Sequence, residues 1–303
     1  LGVATGALVW GLTRPAAHPP GAALLWLAVD SAGRVYAGDA ERDLIWIFDS
    51  AGRSLGVLRP FATGALGTPG PGIQPPVRRD PLAGGEVESR FCGLAVDSAD
   101  HLYIVDLAHG QLQQWDRTGQ LRATWPLPPD YVPGPGCLAA GAAVYLADRR
   151  GLLYRYAAGQ PVAVPGPPRV PMRGLALAAN GDLLLLHDRS LDRLPADGGA
   201  AVIPLALPAP ATALRVPYGV VLGRRNGETL VGAITTGRVL RFAPQGAALP
   251  PFGGLNLLRR IGGLAEDRYG RILVSDPASR TLRRFQANGA PDVVWTTPAE
   301  PGE

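Results

Sequence analysis

Glu266 is the residue most out of keeping with its surroundings in this sequence. It stands in the run GLAED, where two similar runs, LAVD ending at Asp30 and LAVD ending at Asp97, carry Val29 and Val96. A carboxyl group in an aliphatic place is a candidate proton-transfer group, a candidate metal ligand, or half of an ion pair with a nearby arginine. We expect pairing, and keep Glu266 as the one candidate metal ligand. Other chemistry-bearing residues are sparse. His18, His101, His109 and His187 show no metal-ligand spacing such as HExxH, and neither a GxSxG elbow nor a phosphate-cradling glycine loop occurs. The sequence nominates no catalytic nucleophile and calls for no cofactor. Cys92 and Cys137 are too few for a disulfide scaffold or a multi-cysteine zinc module, so buried thiols are expected, with a bridge as the alternative.

Whatever positions these residues is rich in turns. Of 303 residues, 40 are glycine and 31 proline while only 18% are charged, a composition that disfavours both helical bundles and disorder. All 29 basic residues are arginine, which fits a GC-rich coding bias, and a net charge of +4 over this length is too weak for a phosphate-binding stripe. Nucleic acid is therefore a disfavoured partner. The opening LGVATGALVWGL is apolar but shorter than the ~18 residues of a membrane span, and reads as a strand that pairs near the chain ends.

One unit recurs six times. Its first strand is LAVD (27–30), LAVD (94–97), LAAG (138–141), LALA (175–178), VVLG (220–223) and LAED (264–267). A second apolar strand follows, ending at Asp39, Asp106, Asp148, Asp188, Ala233 and Asp276. A third ends on a large apolar residue with a glycine shortly after it: Phe48 and Gly52, Trp115 and Gly119, Tyr156 and Gly159, Leu194 and Gly198, Phe242 and Gly246, Phe285 and Gly289. A fourth, more variable strand completes the unit. Four-stranded antiparallel units that cannot bury both faces alone must stack around an axis, so the expected class is all-β, a six-bladed β-propeller spanning 1–303 as one domain. Residues 59–90, dominated by glycine and proline, read as a long surface loop without strands between the first two blades, and 298–303 as a linker.

Unit two, SRFCGLAVDSADHLYIVDLAHGQLQQWDRTGQLRATW, closely resembles an NHL repeat, and units one and six nearly as well. The resemblance implies architecture and leaves activity open, because such propellers include protein-binding and RNA-binding modules, lyases and metal-dependent lactonases. Lactonase-like propellers, similar in outline, hold a metal through a glutamate on the first inner strand with asparagine and aspartate side chains in the channel. Here Leu24 to Asp30 offers no glutamate, and Asn180, Asn226, Asn256 and Asn288 fall in turns or loops.

The strand-end aspartates read as turn-formers that accept backbone hydrogen bonds. Arg155, Arg193, Arg241 and Arg284 precede the large residue of the third strand and are expected to pair with those aspartates between blades. Residues just ahead of the first strands should line one channel mouth: Trp26, Arg90, Phe91, Arg173, Tyr218 and Arg260, an aromatic and arginine mixture suited to binding. The function expected from all this is a non-catalytic binding scaffold for a protein, peptide or polymer, as a module of a larger secreted, surface or phage-tail-like assembly. A metal-dependent hydrolase or lyase, and RNA binding at Arg90, Arg173 and Arg260, are the alternatives.

Overall fold

The computed structural model describes residues 24–60, 77–79, 86–88, 90–134, 137–165, 170–187, 190–195, 203–205, 220–233 and 236–297. The described chain is all β, with six four-stranded antiparallel sheets, each made of four strands consecutive in sequence. The innermost strands are Leu24–Val29, Phe91–Val96, Leu138–Ala140, Met172–Leu177, Val220–Gly223 and Gly263–Glu266. Each lies at the inner edge of its blade.

The burial pattern explains why the second strand of every unit reads as a continuous apolar run. Val35–Asp39, Leu102–Asp106, Leu183–His187, Thr229–Ala233 and Ile272–Asp276 are buried at every position, because a neighbouring blade covers each face. Outermost strands such as Ser54–Leu58 and Leu121–Pro126 meet solvent and are correspondingly mixed. The core is thus a chain of inter-blade layers. One layer closes the ring: Leu273, Leu282 and Trp295 of blade 6 pack with Val35, Leu44, Trp46 and Phe48 of blade 1.

A repeated turn holds the strands at their spacing. Asp30 accepts hydrogen bonds from the Arg34 amide at 2.8 Å and its Nε at 2.6 Å, while Gly33 takes a φ of 84° between them. The pattern recurs at Asp49, Gly52 and Arg53 and at Asp267, Gly270 and Arg271. An aspartate that caps its own turn and an arginine four residues on that hooks back to it account for part of the arginine enrichment. The strand-end aspartates behave as expected: Asp39 accepts from the Glu41 and Arg42 amides, and Asp276 from those of Arg259, Arg260, Ala278 and Ser279. Asp188 lies outside the described residues.

The arginines ahead of the third-strand aromatic find other partners than those expected. Arg193 faces Asp182 at 3.4 Å, Arg241 bonds Glu228 at 3.1 Å, and Arg284 bonds Asp292, each within its own blade. Their other nitrogens reach the next blade's outer turn, donating to the carbonyls of Pro244, Asn288 and Ser50. Arg155 is exposed. The strand-end aspartates pair instead with arginines of their own turns, Asp39 with Arg42 at 3.2 Å and Asp148 with Arg150 at 2.7 Å.

One further expectation meets the structure differently, one lies outside the described residues, and the buried thiols are as expected. The 59–90 segment contains a ribbon, with Val77–Arg79 antiparallel to Glu86–Glu88, and three-residue strands are too short for an alternation to be read. Residues 1–12 and 298–303 lie outside the described residues. Cys92 and Cys137 are buried thiols with their sulfurs 3.4 Å apart.

Gly52 tests the closing layer. Its φ is 88°, and a Cβ there would run into the Trp295 indole. Gly52→Ala should cost about 2–3 kcal/mol in urea unfolding. Gly56→Ala, with a φ of 135° but open space around it, should cost about 1 kcal/mol.

Candidate functional site

The six innermost strands surround a central channel with a cavity of about 380 Å³, within the range of small-molecule sites. Its wall is aliphatic at most positions, with Leu27, Val29, Leu94, Val96, Leu138 and Leu177 among the contributors. Arg225, Arg260 and Glu266 are its ionisable residues among those described. Arg260 precedes the innermost strand of blade 6 and Glu266 ends it, so the charged groups sit towards opposite ends of an apolar tube.

Glu266 is locked by blade 5. Its Oε1 accepts from Arg224 Nε at 3.0 Å and its Oε2 from the Arg225 amide at 2.8 Å, and its side chain is 6% exposed. Arg224, 3% exposed, also donates to Glu228 at 2.6 Å and to the carbonyl of Gly270 in blade 6. Arg241 completes the network from the other side of Glu228. The Glu266 pairing with arginine is therefore as the sequence led us to expect.

The partner itself was missed because of register. The turn bonds Arg224 N to Glu228 O and Gly227 N to Arg224 O match those from Asp267 N to Arg271 O and Gly270 N to Asp267 O. Arg224 thus occupies the place of Asp30, Asp97 and Asp267, one residue beyond the Gly223 that the sequence repeat aligned there. Blade 5 has the turn pair inverted, arginine first and glutamate four residues on. With a cation in that place, the neighbouring strand end can hold a carboxylate, which is why Glu266 stands where Val29 and Val96 are found. The pair GRRNGE, read against DSAGR and DRYGR, contains that signal.

The predicted mouth residues are only partly brought together. Arg260 and Trp26 line the cavity. Phe91 does not: it is fully buried between blades 1 and 2, its ring 4.7 Å from Trp26, because the aromatic pair fills space over Gly38. Arg90 is exposed at the blade 1 to blade 2 junction, its amide bonded to Asp43 at 2.9 Å and its Nε 3.6 Å from the same carboxylate. Burial pushes that Asp43 carboxyl above its usual range, against the Arg90 contacts. Arg173 is half-buried within the innermost strand of blade 4, away from the cavity wall. Tyr218 lies outside the described residues. The binding set read from the sequence is thus dispersed, and Arg225, which it omitted, is in the wall.

Among the described residues no group of three or more histidine, cysteine, aspartate or glutamate side chains is placed to hold a metal, and Glu266 is the one carboxylate they contribute to the cavity wall. No described helix is long and apolar enough to cross a membrane.

Six four-stranded blades about a walled channel define a six-bladed β-propeller. The chain superposes on virginiamycin B lyase from Staphylococcus aureus with a TM-score of 0.57 and 13% identity, over 92% of this chain and 85% of that one. A streptogramin B lyase structure gives 0.58 and 13%, over 94% and 86%. A catalytically inactive histidine-to-alanine variant of the staphylococcal enzyme, solved with quinupristin, gives 0.56 and 13%, over 92% and 85%. No protein-family model and no curated protein matches the chain. The expectation of a non-catalytic scaffold is corrected by these likenesses, since the solved propellers named here are lyases.

The Glu228 carboxylate should make the network pH-sensitive. Burial raises its pKa, but hydrogen bonds from Arg224 and Arg241 and their charges outweigh it and hold the group below its ordinary 4.5. A depressed folded-state pKa stabilises above the unfolded value and is lost as pH falls through the folded one. Compared with Glu228→Gln, the native chain should have its full stability advantage above pH 4.5 and lose it on acidification, measured as urea midpoints across the range. Arg224→Ala, which leaves the buried Glu266 without its charged partner while Glu228 keeps Arg241, should cost about 3 kcal/mol.

Proposed function

We propose that the protein is a lyase-type propeller enzyme acting on a small molecule held at the central channel, and that its repeats are NHL-like. The observation that carries this reading is the end-to-end likeness to propeller lyases, combined with a channel cavity of small-molecule size. A lyase removes a proton from carbon and stabilises the charge that develops as the leaving group departs. Glu266 and Arg225 supply the matching chemistry side by side.

Each Glu266 oxygen accepts one hydrogen bond, which leaves lone pairs for a substrate proton. The bonds from Arg224 Nε and the Arg225 amide hold the carboxylate in one orientation, as a proton acceptor requires. Arg225, exposed at the same end, is placed to hold an enolate-like oxygen, and the apolar wall excludes water that would compete for the proton. The roles are this chain's own. Its described histidines, His101, His109 and His187, lie outside the cavity wall, so the histidine chemistry of the staphylococcal enzyme has no described counterpart there.

The test is incubation with quinupristin and virginiamycin B, followed by chromatography and mass spectrometry. Elimination forms a carbon–carbon double bond without adding water, whereas hydrolysis adds the mass of one water. We expect the first, with Glu266→Gln lowering kcat by about 100-fold or more. Arg225→Ala should lower kcat with retained thermal stability. A water-added product would exclude the lyase, and unchanged turnover in Glu266→Gln would remove its assigned role.

A further inference from the structure

Between blades 2 and 3 the chain places its two cysteines face to face. Cys92 lies on the innermost strand of blade 2 and Cys137 just ahead of that of blade 3, 45 residues apart in sequence, and both are buried at 0% and 2% exposure. Their sulfurs are 3.4 Å apart, so a bond requires an approach of about 1.4 Å to reach the ~2.05 Å of a disulfide. Room for that approach is provided on the blade 2 side. The next residue is Gly93, and a Cβ there would stand 3.1 Å from the Cys137 sulfur. Cys137 just precedes its strand; its carbonyl accepts from the Ala147 amide at 2.7 Å and its thiol donates to the Cys92 carbonyl, so the approach comes from side-chain rotation. The remaining wall is rigid: Tyr131 is fully buried, its hydroxyl 4.0 Å from the Cys92 sulfur and donating to the Ala147 carbonyl at 3.2 Å.

We propose that Cys92 and Cys137 are a disulfide-forming pair, joined as an inter-blade staple when the chain folds under oxidising conditions. The oxidant is a small disulfide such as glutathione disulfide. One protein thiolate attacks it and releases one glutathione; the second then attacks the mixed disulfide and releases the other. Two protein thiols are oxidised, one external disulfide is reduced to two thiols, and the protons lost by the cysteines are recovered on the glutathione. Burial sets the timing. The exchange belongs to folding, before blades 2 and 3 dock, and the finished bond is then shielded from reductant. This inference stands apart from the catalytic reading, since neither sulfur lines the cavity.

The whole chain, unfolded and then refolded either in a glutathione redox buffer or in excess reductant, tests it. After alkylation and digestion, the oxidised sample should give a linked peptide pair containing Cys92 and Cys137, two hydrogens lighter than its separate parts. Its thermal midpoint should exceed that of the reduced sample by roughly 5 °C. Cys92→Ser and Cys137→Ser should each abolish that difference. Alkylation of both thiols after oxidative refolding, or glutathione adducts or intermolecular links alone, would overturn the proposal. So would a bridged form that melts no higher than the thiol form, and this comparison uses only the unmutated chain.

Discussion

Everything in this molecule rests on sheets that have two apolar faces and no way to cover either alone. Five of the six second strands are buried at every position, so a blade without neighbours would leave Val35, Ile104, Leu185 or Val274 in water. Hydrophobic burial is non-directional and cannot itself choose the blade spacing. The spacing is set by polar contacts at the turns, where aspartates satisfy turn amides and arginines reach across to the carbonyls of the next blade. Apolar stacking provides the driving force and the turn chemistry provides the pitch.

The apolar channel follows from the same construction. Innermost strands carry short aliphatic residues because six strand edges converge there, and the tube they leave is wide enough for a small molecule. A propeller fold alone does not specify a reaction. The main departure from the repeat in the described channel is the Glu266, Arg224 and Arg225 group. Arg224 stands where blades 1, 2 and 6 have a turn aspartate, and Glu266 where blades 1 and 2 have valine, so the repeat makes them visible.

Much of the architecture was legible in the sequence because it is periodic. Strand order and the large apolar residue that ends the third strand recur six times, aromatic in all but blade 4, and each unit corroborates the others. The blade 5 register was misread because VVLG has no aspartate to mark its end, so Gly223 was taken for the residue that is structurally Arg224. The arginine partners differ from those expected because a strand pattern shows that a cation needs a counter-charge without showing which carboxylate lies nearest: Asp39 and Asp148 pair with Arg42 and Arg150 of their own turns. Phe91 illustrates a third limit. An aromatic ahead of a strand can point to solvent or into the next blade, and only the space over Gly38 decides it. The separation of Arg90, Arg173 and Arg260 has the same origin, since equivalent places in a repeat need not converge in the channel.

The inverted pair in blade 5 has a consequence for the history of the array. Equivalent units in a repeat protein can ordinarily be duplicated, deleted or transposed with little penalty at the seams. Here blade 5 presents a cation and blade 6 an anion at one junction, while blade 1 continues with an aliphatic residue at the equivalent place. A copy of blade 6 placed after blade 1 or 2 would bury a carboxylate against an aspartate-bearing turn, and a copy of blade 5 placed before either would leave its arginine facing valine. The order of these two units is therefore frozen by electrostatics, and recombination among the blades is confined to the rest of the ring.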